Sequence, residues 1–359
     1  MTPLRLLVDD GASAAGGLAL DEALASRVGA GRSVPTLRLY TYRPHCALVG
    51  RFQDASREVD LDVCEREDIE VNRRPTGGGA ILMGPDQLGV ALALPRESGG
   101  PRALMTGFSN KIARALAKLG VDAAFRGKND LAVNGRKIAG LGVHRDSSGG
   151  LLFHASVLLD LDVSLMVRVL RTPFAKVSDR EVRMVSRRIA TIRGLVNREV
   201  TIAELRDHLA SAFGVKDAGE LDPEERQAVA NLEESRYGDP GWLRQRTSVT
   251  DTAGRASLRT SGGLVDVHVA MAGRTIKAAW IRGDFVADES AVADLEGRLR
   301  WHSSDQGAIT ATVQDAWRHE SGTVDADALI QTISSAIIQA RDASAAPYGC
   351  FVTPETSHG

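Results

Sequence analysis

Three consecutive glycines, Gly77-Gly78-Gly79, follow Arg73-Arg74-Pro75-Thr76 and lead into Ala80-Ile81. Set between an apolar run and a strand, they let the backbone take conformations closed to other residues. Amides in such a loop can turn onto a phosphate or carboxylate without side-chain obstruction. The two arginines before it add fixed positive charge and a donor geometry suited to phosphate. No Lys-Ser/Thr pair follows and no helix starts there, so this is not a Walker loop. A flexible glycine turn flanked by solvated arginines is the competing reading of the same residues.

The rest of the composition sets the background. Of 44 basic residues in 359, seven are lysine and 37 arginine, and glycine stands at 36. Both skews are what a GC-rich genome writes, so a lysine kept in this background is informative. With 25% charged and 43% hydrophobic residues the chain is an ordinary globular one, not a disordered one. No apolar run is long enough to span a bilayer, and Met1-Thr2-Pro3-Leu4-Arg5 leads into a strand rather than a signal peptide. Cys46, Cys64 and Cys350 are scattered and odd in number, which argues against a disulfide framework or cysteine zinc site and for a reducing cytoplasm. A net charge of −2 gives no reason to expect nucleic acid.

Length alone suggests two domains. In the first, Leu4–Val8, Thr36–Tyr42 and Ala47–Val49 read as strands, and Leu18–Val28 and Ser56–Glu67 as helices. Arg102–Leu119 is the clearest helix, with Met105, Phe108, Ile112, Leu116 and Leu119 spaced by three and four. Asp130–Val133 and Lys137–His144 flank Asn134-Gly135, a hairpin turn signal, and Leu151–Leu159 is a further strand. Helices at Ile202–Phe213 and Pro223–Glu234 close this part, and a turn-rich linker runs from about Tyr237 to Gly254. Beyond it, Val265, Val267 and Val269 alternate with Asp266, His268 and Ala270, then turn at Ala272-Gly273 into Thr275–Ile281. The last helix, Asp325–Ala340, aligns Ile330, Ile333 and Ile337. The expected fold class is α/β (α+β), with a large mixed-sheet catalytic domain over 1–240 and a small α+β accessory domain over 255–345.

The second informative segment is Gly127-Lys128-Asn129-Asp130-Leu131 through Gly135-Arg136-Lys137-Ile138-Ala139-Gly140, which holds two of the seven lysines. Lys137 stands directly after the hairpin turn, where a strand can aim it into a cleft; alone, it also reads as an exposed hairpin lysine. Gly29-Ala30-Gly31 lacks a preceding strand and a third glycine, so it reads as a loop. His45, His144 and His154 show no zinc spacing, and His154 reads as a packed strand residue.

Taken together and in this order, these segments resemble the lipoate–protein ligase family and its biotin ligase cousins. The resemblance runs from Gly16-Gly17-Leu18-Ala19-Leu20-Asp21-Glu22 through Arg74-Pro75-Thr76-Gly77-Gly78-Gly79-Ala80, Asn129-Asp130-Leu131 and Gly135-Arg136-Lys137-Ile138-Ala139-Gly140 to Phe153-His154-Ala155-Ser156. It continues loosely in Lys176-Val177-Ser178 and Arg187-Arg188-Ile189, and Ile281-Arg282-Gly283-Asp284-Phe285 looks like that family's accessory domain. The resemblance implies ATP-dependent activation of lipoate to lipoyl-AMP, then transfer to a lysine. It implies that Arg73, Arg74, Gly77, Gly78, Gly79, Ala80, Ile81, Leu82, Asn129, Asp130, Gly140 and His154 bind ATP, lipoate or the adenylate. Lys137 would be the catalytic residue, touching the carboxylate and the α-phosphate, and Asp130 would meet Mg²⁺ through the nucleotide. Implied acceptors are lipoyl-carrier domains of 2-oxoacid dehydrogenase complexes or the glycine cleavage H protein. A cytoplasmic monomer without nucleic-acid or membrane partners is expected. Met83-Gly84-Pro85-Asp86 and Ala155-Ser156 depart from the family's usual aromatic-His-Asp and His-Gly steps, which bears on acyl-chain specificity.

A related alternative is a lipoyl or octanoyl transferase of the same fold working from a preformed donor, acyl-nucleotide or acyl-protein. Its cysteine-thioester form wants a cysteine in Phe125–Asp130 or Arg171-Thr172-Pro173-Phe174, and there is none. A non-catalytic acyl- or nucleotide-binding protein would have been expected to lose Lys137 or the triglycine, and both remain. Between Leu165 and Arg198, nine basic residues face Asp179 and Glu181, for a local charge of +7. That segment reads either as solvated faces or as a docking surface for an acidic acceptor.

Overall fold

The computed structural model describes residues 4–95, 101–126, 129–171, 179–216, 218–245, 254–272, 274–320 and 322–345. Lys128, Lys176-Val177-Ser178, Thr172-Pro173-Phe174, Gly273 and Cys350 lie outside them. The first part is built on a seven-stranded sheet of β1 (Arg5–Ala12), β2 (Thr36–Tyr42), β6 (Gln87–Leu94), β10 (Leu151–Leu158), β9 (Arg136–Arg145), β8 (Asp130–Val133) and β7 (Ala124–Arg126), in that spatial order. Only β1 and β2 run parallel; the other neighbours are antiparallel. A small sheet of β4 (Glu70–Arg73), β3 (Cys46–Val49) and β5 (Ile81–Met83) brackets the glycine loop.

The helix Pro101–Lys118 lays Met105, Phe108, Ile112 and Leu116 on the large sheet beside Leu209 and Phe213 of the helix Ile202–Phe213. Burying each of these side chains is worth about 1.5–3 kcal/mol. The hairpin between β8 and β9 turns at Asn134 and Gly135, whose φ values of 50° and 75° are what a type I′ turn requires. This turn sets Lys137 at the start of β9.

Some elements differ from expectation for local reasons. The helix expected over Ser56–Glu67 is two, Ala55–Glu58 and Leu61–Arg66, because the Asp54 and Asp60 side chains each cap a separate start. Strand β6 was not legible: buried along nearly its whole length, Gln87–Leu94 has no period-two alternation to read. The helix from Pro223 ends at Leu232 and passes into a π turn, Glu233–Tyr237. The start of the expected linker has structure of its own: Pro240–Arg244 is helical, and Asn72 Nδ2 donates to the Tyr237 carbonyl at 2.8 Å.

The C-terminal unit is an antiparallel sheet of β11 (Gly254–Thr260), β12 (Gly263–Ala272), β13 (Thr275–Asp284) and β14 (His302–Ser303). The alternating valines 265, 267 and 269 face a separate core with Leu295, Ile309, Ile333 and Ile337 from three helices. The two parts meet at the glycine loop. Phe285 stacks on Phe52, centroids 4.9 Å apart, Gly283 N donates to Phe52 O at 3.0 Å, and Gly78 N donates to Phe285 O at 2.9 Å.

Candidate functional site

The two arginines ahead of the glycine loop do unlike things. Arg73 is fully buried and donates to five carbonyls: Gly50, Arg51 and Gln53 through Nη1, Trp242 through Nε and Leu243 through Nη2, at 2.6–3.1 Å. It ties β4 to the 50–53 loop and to the helix Pro240–Arg244, whose Trp242 Nε1 returns a bond to Arg73 O at 2.7 Å. Arg73 lies off the cavity lining and points into protein, against the expectation of a phosphate donor. Arg74 curls under the loop, from Nε to Thr76 Oγ1 (3.1 Å), Nη1 to Leu48 O (2.7 Å) and Nη2 to Gly77 O (3.1 Å) and Gly79 O (2.6 Å). Burial pulls its pKa down to about 10, opposed by the Asp284 carboxylate.

The glycines divide likewise. A Cβ on Gly77 would stand 2.1 Å from the Phe285 carbonyl oxygen, so that position belongs to the contact between the units. Gly78 has φ +95° and its amide is bonded to Phe285 O. Neither lines the cavity, whereas Gly79, Ala80, Ile81 and Leu82 do.

That cavity, about 300 Å³, is a slot lined mostly by apolar side chains, with Arg74, Asn129, Asp130, Lys137, His154 and Asp284 among its polar groups. Leu18, Tyr40, Tyr42, Leu48, Met83, Leu158, Met166 and Ile189 form its walls. At the mouth Lys137 Nζ meets Asp130 Oδ1 at 2.7 Å, with the two side chains 40% and 39% exposed. The Lys137 backbone is clamped from outside, N to Arg188 O and O to Ala190 N, both at 2.8 Å. Asn129 Nδ2 donates to Leu141 O at 3.0 Å, and Gly140 and Asp284 complete the rim. An ammonium bordering a mostly apolar cavity can hold the head of an anionic chain-like ligand and stabilise negative charge built up there.

His154 also lines the slot, its Nε2 2.9 Å from Thr76 Oγ1. Burial, then the nearby Arg74 and His144, push its pKa down to about 3, so it is neutral at physiological pH. The ring fits because Gly142 faces it: a Cβ there would lie 2.2 Å from His154 Nε2. Gly142→Ala is therefore expected to displace the ring from Thr76 and to cost about 1–3 kcal/mol of stability. Urea unfolding of wild type and variant checks this, and a difference below about 0.5 kcal/mol defeats it.

Tyr40, Tyr42 and Asp284 were missed by the sequence reading. Tyrosines two apart on a strand share a face, and two of the chain's four stand so, which was a usable signal for the first pair. Asp284 belongs to the Ile281–Phe285 segment that resembles the accessory domain, and nothing local gives it a place in a cavity of the first unit. Cys46 and Cys64 are buried off the cavity, and burial raises Cys46 well above the usual thiol range and Cys64 to about 11. Among the described residues no cluster of three metal-ligating side chains occurs, and no helix is long and apolar enough to cross a membrane. Within the basic segment, Arg168 pairs with Glu67, Arg193 with Asp86 and Arg198 with Glu204, at 2.6–3.1 Å. Arg183, Arg187 and Arg188 are exposed, the last two preceding Ile189 at the slot wall.

Residues 13–214 match the family model of the lipoyl protein ligase A/B catalytic domain. Octanoyltransferase LipM of Symbiobacterium thermophilum is 31% identical over 254 residues, covering 63% of this chain and 92% of the relative. Lipoate-protein ligase LplJ of Bacillus subtilis is 26% identical over 267 residues, covering 72% and 79%. Among solved structures, the bipartite lipoate protein ligase of Thermoplasma acidophilum superposes with a TM-score of 0.62 at 26% identity, over 69% of this chain and 99% of that one. LipL1 of P. falciparum in complex with lipoate reaches 0.72 at 16% identity over 94% and 100%, a likeness of fold.

Proposed function

The chain belongs to the lipoyl protein ligase A/B catalytic-domain family, and from that premise we propose that it activates lipoate with ATP to lipoyl-AMP and transfers the lipoyl group to a carrier lysine. The observation that carries this is the cavity: mostly apolar in its lining, bordered by the Lys137–Asp130 pair, and with no cysteine among its described lining residues. The apolar walls suit an eight-carbon chain and its dithiolane. Lys137 would bridge the carboxylate and the α-phosphate, where negative charge gathers both in adenylate formation and in its aminolysis. Its compact ammonium, pointed by the clamped backbone, fits that task better than a planar guanidinium. Arg74 would act through the loop it shapes, holding Gly79 and Ala80 against the ligand. Asn129 and Asp130 would hold the nucleotide. Mg²⁺ would neutralise the triphosphate; Asp130, half-exposed at the rim, offers the single carboxylate that such a phosphate-held ion needs.

Acceptors would be carrier domains of 2-oxoacid dehydrogenase complexes or the H protein of glycine cleavage, met at the rim near Arg187 and Arg188. The octanoyltransferase relatives favour a second reading, transfer from a preformed acyl donor. One assay separates the two: the mass of an apo carrier domain after incubation with enzyme, ATP, Mg²⁺ and lipoate. The lipoyl increment is expected, undiminished in a Cys46→Ser/Cys64→Ser/Cys350→Ser variant. Modification only from premade lipoyl-AMP or an octanoylated protein, or its loss in the cysteine variant, would sink the ligase reading.

A further inference from the structure

Aminolysis of an acyl adenylate turns the acyl carbonyl oxygen into an oxyanion, and a preorganised donor there lowers the barrier. Lys137 alone would have to serve that oxygen and the α-phosphate together. The register of the large sheet supplies a second donor. Tyr40, Gly89, Ser156, Gly140 and Asp130 pair in one row across β2, β6, β10, β9 and β8. Directly opposed residues share a face of a sheet, and Tyr40, Ser156, Gly140 and Asp130 all line the cavity. The two glycines leave room beside Ser156. The Tyr40 ring lies over Gly89, where a Cβ would stand 2.4 Å from it. Lys137 Nζ lies over Gly140, 3.1 Å from where a Cβ would stand. Between Tyr40 and Asp130 in that row, only Ser156 carries a side chain. It is half-buried at the cavity, and its hydroxyl makes no hydrogen bond among the described residues.

We infer that Ser156 is a catalytic residue of acyl transfer, its hydroxyl donating to the acyl carbonyl oxygen while Lys137 holds the phosphate side. This rests on the transfer step proposed above. Cβ atoms opposed across antiparallel strands stand about 4.5–5.5 Å apart, which puts Ser156 Cβ within about 9 Å of the ammonium. A carboxyl group held at Lys137 spans that gap and brings its second oxygen to the hydroxyl. In the transfer step the carrier lysine first loses its ammonium proton to solvent, and the neutral nitrogen bonds to the acyl carbon. The carbonyl π pair moves onto oxygen, where Ser156 Oγ–H donates to the oxyanion. As the carbonyl re-forms, the bond from the acyl carbon to the phosphate oxygen breaks, and AMP leaves with that electron pair. The second proton passes from nitrogen to solvent, which leaves the neutral amide. Ser156 itself gives up no proton. Its bond strengthens as charge grows on the oxygen, so it speeds transfer more than it tightens binding.

The test uses the full-length enzyme with premade lipoyl-AMP and an apo carrier domain, so that adenylate synthesis is not at issue. Ser156→Ala is expected to lower kcat about 100-fold. The KM for lipoyl-AMP should change less than threefold and the melting temperature by no more than a few degrees. Ser156→Thr keeps the hydroxyl and should recover at least tenfold of the loss. A Ser156→Ala enzyme within tenfold of wild type in kcat would overturn the inference, as would a loss confined to KM. A threonine variant no better than alanine would show that the position serves the shape of the cavity, and it too overturns the assignment. A wild-type enzyme that moves no acyl group from lipoyl-AMP to the carrier overturns the transfer reading and this role with it, an outcome the wild-type reaction reports by itself.

Discussion

A Lys137→Ala enzyme is expected to lose about 10²–10³-fold in carrier-domain modification while keeping its fold. The two halves of that expectation come from different quantities. Lys137 and Asp130 are each some 40% exposed, and an ion pair in such a setting is worth about 0–1 kcal/mol to stability. The melting temperature should therefore move by no more than a few degrees. In the proposed reaction catalysis is another matter, because an ammonium fixed where charge would develop in both half-reactions would stabilise transition states over ground states. Lys137→Arg should rescue little, since the longer planar guanidinium cannot take the place of a point charge between two oxygens. Single-turnover mass measurements on the carrier, alongside thermal melts of both variants, check this; activity of Lys137→Ala near wild type would remove the assigned role.

Arg73→Ala should do the reverse, leaving no chemistry to measure because little folded protein survives. Removing this guanidinium strips five main-chain carbonyls of a donor in a fully buried place. Each orphaned buried acceptor costs about 1–3 kcal/mol, and a whole domain has only about 5–15 kcal/mol in hand. A loss of at least about 4 kcal/mol is expected, and Arg73→Lys, with three donors for five carbonyls, should fall between. Urea unfolding and soluble yield measure it. A variant within 1 kcal/mol of wild type would show that water or rearranged backbone satisfies those carbonyls.

These two residues also show where sequence reasoning stopped. The triglycine loop and the lysine after Asn134-Gly135 could be picked out, because glycine runs and type I′ turns carry their backbone requirements in residue identity. The same reading gave Arg73 and Arg74 one job, whereas Arg73 staples the helix Pro240–Arg244 and Arg74 shapes the loop. Apart from Thr76 Oγ1 under Arg74, the partners named are carbonyls, present at every position, so no pattern of side chains announces them. Strand β6 escaped for a kindred reason: a strand buried on both faces shows no alternation.

By itself the sequence determined the Asn134-Gly135 turn, the amphipathic helix Pro101–Lys118, the alternating β12 face and the family membership that the motifs foreshadow. Each is a property of neighbours in the chain, where covalent geometry and periodicity act directly. Only the tertiary structure decided which cations face the slot, that Cys46 and Cys64 stay out of it, and that Asp284 enters it from the second unit. Those outcomes depend on burial and on contacts across more than two hundred residues. Close packing selects one arrangement there, and the local sequence does not encode it.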